Sequence, residues 1–134
     1  MKRGIWLILF LTLLVTAQGA ERREPHQESI DWEAQGFQKM YATAYCVGHH
    51  TADGSAVHHG GCACNPHLGD IAIVYTLDGD FLGYYECNDT GGTDGLKAGA
   101  VIDIYRCNLT QCQMFMKMIG PEQKVYVKWI EGDG

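Results

Sequence analysis

The sequence predicts a small, mainly β domain: a barrel of short strands with one short helix, stapled by disulfides. Three observations carry this. From Tyr41 onward, short apolar runs of strand length alternate with Gly, Asp and Asn. A single stretch near the C-terminus has helical spacing. Six cysteines stand in a chain of 134 residues, a density that suits a small exported domain whose core needs covalent support.

Residues 1–20 read as a secretory signal. Lys2 and Arg3 form a charged start, Ile5 to Val15 an apolar stretch, and Ala17-Gln18-Gly19-Ala20 a small-residue cleavage region. That stretch is short for a bilayer span, and no later segment is long and apolar enough to be one. The mature chain of roughly 115 residues suffices for one domain. Residues 21–38 are expected to be a flexible lead-in, polar and acidic at first, with Pro25. The barrel is expected over 39–131.

Within it, Tyr41–Cys46, Ile71–Thr76, Leu82–Cys87, Val101–Tyr105 and Lys124–Ile130 have the β-branched and aromatic content of strands. Leu77-Asp78-Gly79-Asp80 carries an Asp-Gly turn signal and is expected to close a hairpin. Thr110 to Met118 is the one helix, with Thr110 or Asn108 as N-cap and Gly120-Pro121 as its stop. Met114, Phe115 and Met118 are expected to form its buried face. Strands with hairpin turns and one helix suggest a barrel rather than a doubly wound sheet. The pairing of Cys46, Cys62, Cys64, Cys87, Cys107 and Cys112 stays open.

The formal net charge is −6, and about −8 once Lys2 and Arg3 leave with the signal. Nucleic acid and anionic lipid, which require basic patches, are therefore not expected partners. A neutral polymer such as a glycan is compatible.

Candidate chemistry centres on two carboxylates. Asp89 stands at the mouth of a Gly-Gly turn in Asn88-Asp89-Thr90-Gly91-Gly92. Asp103 lies inside the apolar run Val101-Ile102-Asp103-Ile104-Tyr105. Apolar surroundings penalise a charged carboxylate, so Asp103 should hold its proton to higher pH, as a general acid requires. The plainer reading makes Asp89 a turn cap and Asp103 a partnered core acid. His49, His50, His58, His59 and His67 cluster with Cys62 and Cys64, but at no strong zinc spacing, and an oxidising compartment favours disulfides over thiolate ligands. No metal or cofactor is expected. An even cysteine count leaves no evident free thiol for Cys–His nucleophilic catalysis. Two sequons, at Asn88 and Asn108, are not expected to matter.

The chain from Tyr41 to about Trp129 resembles the bacterial 3D (three-aspartate) domain, shared with the catalytic barrel of membrane-bound lytic transglycosylases. That family reads T-A-Y, T-A-S-G, A-V-D-P, D-T-G-G-A-I-K-G and I-D-V-Y in order. Here the corresponding residues are Thr43-Ala44-Tyr45, Thr51-Ala52-Asp53-Gly54, Ala63-Cys64-Asn65-Pro66, Asp89-Thr90-Gly91-Gly92 and Ile102-Asp103-Ile104-Tyr105.

The resemblance implies a double-psi β-barrel of about six strands and cleavage of peptidoglycan between N-acetylmuramic acid and N-acetylglucosamine. In the lytic version the muramic C6 hydroxyl attacks its own anomeric carbon. Asp103 would then act as acid and afterwards base, with Asp89 assisting. Tyr45, Thr51, Gly54, Asn65, Thr90, Gly91, Gly92 and Tyr105 would border the substrate. The expected protein is a secreted, cell-wall, monomeric enzyme with peptidoglycan strands as its partner.

Two positions depart from the family pattern. Asn65 replaces its first aspartate, and Thr93–Gly99 lengthens the link between the other two. Both leave room for a non-catalytic wall-binding barrel; a disulfide-rich, expansin-like barrel that loosens polysaccharide without cutting it is a third possibility. Hydrolysis by two carboxylates and a water is the alternative within enzymes.

Overall fold

A computed structural model of the chain describes residues 29–48 and 51–132. Residues 1–20, read as a secretory signal, residues 21–28 of the stretch read as lead-in, and His49 and His50 lie outside the described residues. The compact unit begins at Asp31. It is a closed barrel of six strands: β1 (Gln38–Tyr45), β2 (Gly61–Ala63), β3 (Ile71–Thr76), β4 (Phe81–Asp89), β5 (Val101–Tyr105) and β6 (Lys124–Ile130). Around the barrel the order is β1-β5-β2-β4-β3-β6. The pairs β1/β5 and β2/β4 are parallel, and the rest antiparallel. Closure removes the free edges that short strands would otherwise expose.

Alternation sets the faces. Met40 and Ala42 of β1, Ala72 and Val74 of β3, Ile102 and Ile104 of β5, and Val125 and Val127 of β6 are buried and fill the interior. β3 and β4 form the expected hairpin. Gly79 sits at φ +92°, and the turn is tied by Thr76 N–H to Asp80 O at 2.8 Å and Asp80 N–H to Thr76 Oγ1 at 3.0 Å.

β2 was not expected. Gly-Cys-Ala is too short to show a period and has no β-branched residue, yet it runs between β5 and β4 as a fully buried strand. Gly61 is closely enclosed: a Cβ there would lie 3.0 Å from the Asn88 amide and 3.2 Å from the His58 carbonyl.

Two α-helices and a short 3-10 helix at Asn65–His67 complete the described residues. α1 (Asp94–Lys97) is a single turn inside the Thr93–Gly99 link, capped by Thr93 Oγ1 and anchored by buried Leu96. α2 (Leu109–Ile119) is capped by Asn108, whose side chain accepts from Gln111 N–H at 2.9 Å. Its buried face is Cys112, Phe115 and Ile119. Met114 and Met118 are instead 64% and 58% exposed. The i, i+3, i+7 row of Cys112, Phe115 and Ile119 wins because a cysteine served as an apolar position.

One disulfide, Cys64–Cys87, joins the exit of β2 to β4 across 23 residues of sequence. Closing a loop of that length contributes about 3 kcal/mol. Cys46, Cys62, Cys107 and Cys112 are thiols. Asp31–Phe37, within the stretch read as lead-in, turns back so that the Trp32 indole stacks on Tyr126 at 4.7 Å and meets Tyr75 and Phe37. Among the described residues no helix is long and apolar enough to cross a membrane.

Candidate active site

Asp103 follows from strand alternation. Its neighbours Ile102 and Ile104 are fully buried inside the barrel, so Asp103 stands on the outer face of β5, where it is partly buried. β1 pairs with β5 so that Thr43 lies opposite Asp103. The Thr43 hydroxyl donates to Asp103 Oδ1 at 2.9 Å. Burial raises the Asp103 pKa above the usual carboxylate range. The Thr43 hydrogen bond opposes that shift, and the negative charge of Asp89 adds to it.

Asp89 arrives on the same face through an irregularity. Cys62 pairs with Cys87 and Ala63 with Asp89, which leaves Asn88 as an extra residue in β4. Unbroken alternation would send Asp89 inward with Tyr85 and Cys87; the bulge re-aims it. Ala63 also pairs with Asp103 on its other side. The two aspartates therefore flank one residue of β2 at the same level, with backbones about 10 Å apart at the usual strand spacing.

Three groups of the chain hold the Asp89 carboxylate. Ala52 N–H and Thr90 N–H donate to Oδ1 at 3.1 and 2.9 Å, and the Tyr45 hydroxyl donates to Oδ2 at 3.2 Å. Tyr45 is half-buried. Burial, Asp89 and Asp103 all push its pKa up, so the phenol stays a donor. Its ring meets that of Tyr105 edge-on at 5.5 Å.

The Thr51–Ser55 turn packs against Asp89 through Ala52. Thr51 is buried, and its hydroxyl bonds Asp53 Oδ1 at 2.6 Å, within the turn itself. Asp53 also accepts from Ser55 N–H and Ser55 Oγ at 2.9 and 2.5 Å. The Ser55 and Thr51 hydroxyls lower its pKa to about 2. Gly54 takes φ +86° at the tip of this turn, with open space where a Cβ would project.

Asn65 is a clamp. Its Nδ2 donates to Gly91 O at 2.7 Å, and its Oδ1 accepts from Gly91 N–H at 2.8 Å. A carboxylate offers no donor, so an amide alone satisfies both sides of that peptide at neutral pH. Gly91 is also needed for space, since a Cβ would run into Leu96 Cδ1. Thus α1 and Asn65 together fix the Gly91-Gly92 segment beyond Asp89. Gly92 and Thr90 are exposed beside it.

The structure brings Asp103, Asp89, Tyr45 and Tyr105 together on one face, with Thr90 alongside. Thr51, Gly54 and Asn65 shape the surrounding turns. Thr43 and Ala52 were missed as site residues. Thr43 was legible, being two positions before Tyr45 on the same face of an alternating strand; the Ala52 contact depends on how the turn folds back. Of the histidines weighed as metal ligands, His58 Nε2 lies 3.3 Å from Asn88 Nδ2, and His67 stacks on Trp129 at 4.0 Å with Asp70 beside it. Cys64 is held in the disulfide. Asn88 of the first sequon is 1% exposed. A separate cavity of about 240 Å³ on α2, lined by Arg106, Gln111, Met114, Phe115 and Met118, shares no residue with this site.

No family model, no curated protein and no solved structure matches this chain.

Proposed function

We propose that this protein is a secreted peptidoglycan-cleaving enzyme of the 3D-domain type, a double-psi barrel with lytic transglycosylase chemistry. The observation that carries the reading is the pairing of unlike carboxyls on one outer face. Asp103 sits where burial favours its protonated form. Asp89, two strands away, accepts hydrogen bonds from Tyr45, Ala52 and Thr90.

Protonated Asp103 gives its proton to the glycosidic oxygen as the bond to the anomeric carbon breaks. Asp89 stabilises the oxocarbenium charge that develops there. Asp103, now a carboxylate, takes the proton of the muramic C6 hydroxyl as that oxygen closes on the anomeric carbon, which leaves a 1,6-anhydro end and restores the acid. Thr43 occupies Oδ1 of Asp103, so the transferable proton resides on Oδ2. The substrate class follows from the resemblance to the 3D domain, and the division of roles is supported by the burial of Asp103 and the hydrogen bonds to Asp89.

A second reading, a glycan-binding or expansin-like barrel without turnover, draws on one observation. Asp89 already has three donors from its own chain, which is how a structural carboxylate is held. Mass spectrometry of peptidoglycan incubated with oxidised mature protein separates the two. New 1,6-anhydromuramic ends that vanish with Asp103→Asn are the expected result. Ordinary reducing ends would indicate hydrolysis, and binding without release would establish the second reading.

A further inference from the structure

Behind Asp89 the barrel interior holds three sulfurs. Cys62, Cys64 and Cys87 are each at most 1% exposed, and their Sγ atoms all lie within 4.8 Å of one another. Cys64 and Cys87 are bonded. The free Cys62 Sγ is 3.8 Å from Cys64 Sγ, close to van der Waals contact, and Cys62 is also the cross-strand partner of Cys87. The Cys87 sulfur lies 3.0 Å from the Cys64 carbonyl oxygen, so a Cys87 thiol would find a hydrogen-bond acceptor already in place.

We propose that Cys62 is an internal exchange thiol and that the barrel carries two interconvertible disulfides, Cys64–Cys87 and Cys62–Cys64. In the step, the Cys62 thiolate attacks Cys64 Sγ. The Cys62–Cys64 bond forms as Cys64–Cys87 breaks, and Cys87 leaves as a thiolate that takes up the proton Cys62 gave up. One disulfide and one thiol exist before and after, so no oxidant or reductant is consumed.

The exchange converts a staple between β4 and the exit of β2 into a local link and unties the end of β4. That end carries Asp89, whose carbonyl accepts from Cys64 N–H at 3.1 Å. Burial first, then the charges of Asp103 and Glu86, holds the Cys62 thiol well above the usual thiol range. The exchange is therefore slow at neutral pH, and its rate rises by roughly tenfold per pH unit with the thiolate fraction. The proposal stands independently of the glycan reading, because its test reads bonds rather than turnover.

The oxidised mature protein is incubated at pH 7 and pH 9, quenched in acid, digested with pepsin and mapped by mass spectrometry. The expected map shows Cys62–Cys64 peptides accumulating beside Cys64–Cys87, faster at pH 9, while Cys62→Ser shows Cys64–Cys87 alone. Cys87→Ser is expected to carry a Cys62–Cys64 bond; should it fail to fold, the wild-type maps decide. Wild-type protein with Cys64–Cys87 alone at both pH values would overturn the proposal, as would Cys62 bonded to Cys46, Cys107 or Cys112.

Discussion

Replacing Asn65 by aspartate changes one atom in the clamp on Gly91, and the structure says what that atom does. Asn65 Oδ1 accepts from Gly91 N–H, and Nδ2 donates to Gly91 O at 2.7 Å. With Asn65→Asp the first bond survives, while the second becomes a carboxylate oxygen facing a carbonyl oxygen. The lost bond costs about 1 kcal/mol, and leaving the carbonyl partnerless and repelled costs roughly another 1–2 kcal/mol. For a domain of this size, a loss of about 2 kcal/mol lowers Tm by about 10 °C.

Protonation restores a donor, so the new carboxyl is held protonated by the fold and its folded pKa is raised. Its stabilising contribution is then present below the ordinary carboxylate range and lost as pH rises through the raised value. Thermal unfolding of wild type, Asn65→Asp and Asn65→Ala at pH 4 and pH 7 reads this directly. The aspartate variant should lie near wild type at pH 4 and well below it at pH 7. The alanine variant should show the same deficit at both. An aspartate variant equal to wild type at pH 7, or with an unchanging deficit, would refute the clamp argument.

Three further outcomes follow from the same structure. Asp103 has a raised folded pKa, so its contribution is present in acid and lost as pH rises through that value; Asp103→Asn should remove this decline and unfold at higher urea than wild type at pH 7. Asp53 has the opposite sign. Its pKa of about 2 means that the Thr51–Ser55 turn keeps its carboxylate hydrogen bonds until pH falls toward 2, and the protection of the Ser55 backbone amide, taken relative to the unstructured exchange rate at the same pH, should drop only there. On α2, Phe115→Ala should cost about 3–5 kcal/mol, whereas Met114→Ala should stay within about 0.5 kcal/mol in denaturant unfolding.

Much of the barrel was legible because alternation is a local signal. Ile71–Thr76, Val101–Tyr105 and Lys124–Ile130 became strands at the expected bounds, and Asp78-Gly79 turned where an Asp-Gly pair turns. β2 was not legible, because its place is set by the strands on either side of Gly-Cys-Ala. The face of α2 was misread because two methionines were weighed as core while Cys112 was not. For the site, Asp103 could be placed from Ile102 and Ile104 alone. Asp89 could not: its outward aim rests on the bulge at Asn88, and a bulge is a property of two strands in register. The roles of Asn65 and Ala52 depend likewise on loops meeting in space.

The central claim is that burial and the nearby Asp89 raise the Asp103 pKa on the shared outer face. Residue-resolved carbon-13 NMR titration of the side-chain carboxyls measures this without substrate. The account predicts an Asp103 midpoint above the ordinary aspartate range, moving lower when Asp89→Asn removes the neighbouring charge. An Asp103 midpoint at or below the ordinary range would contradict it.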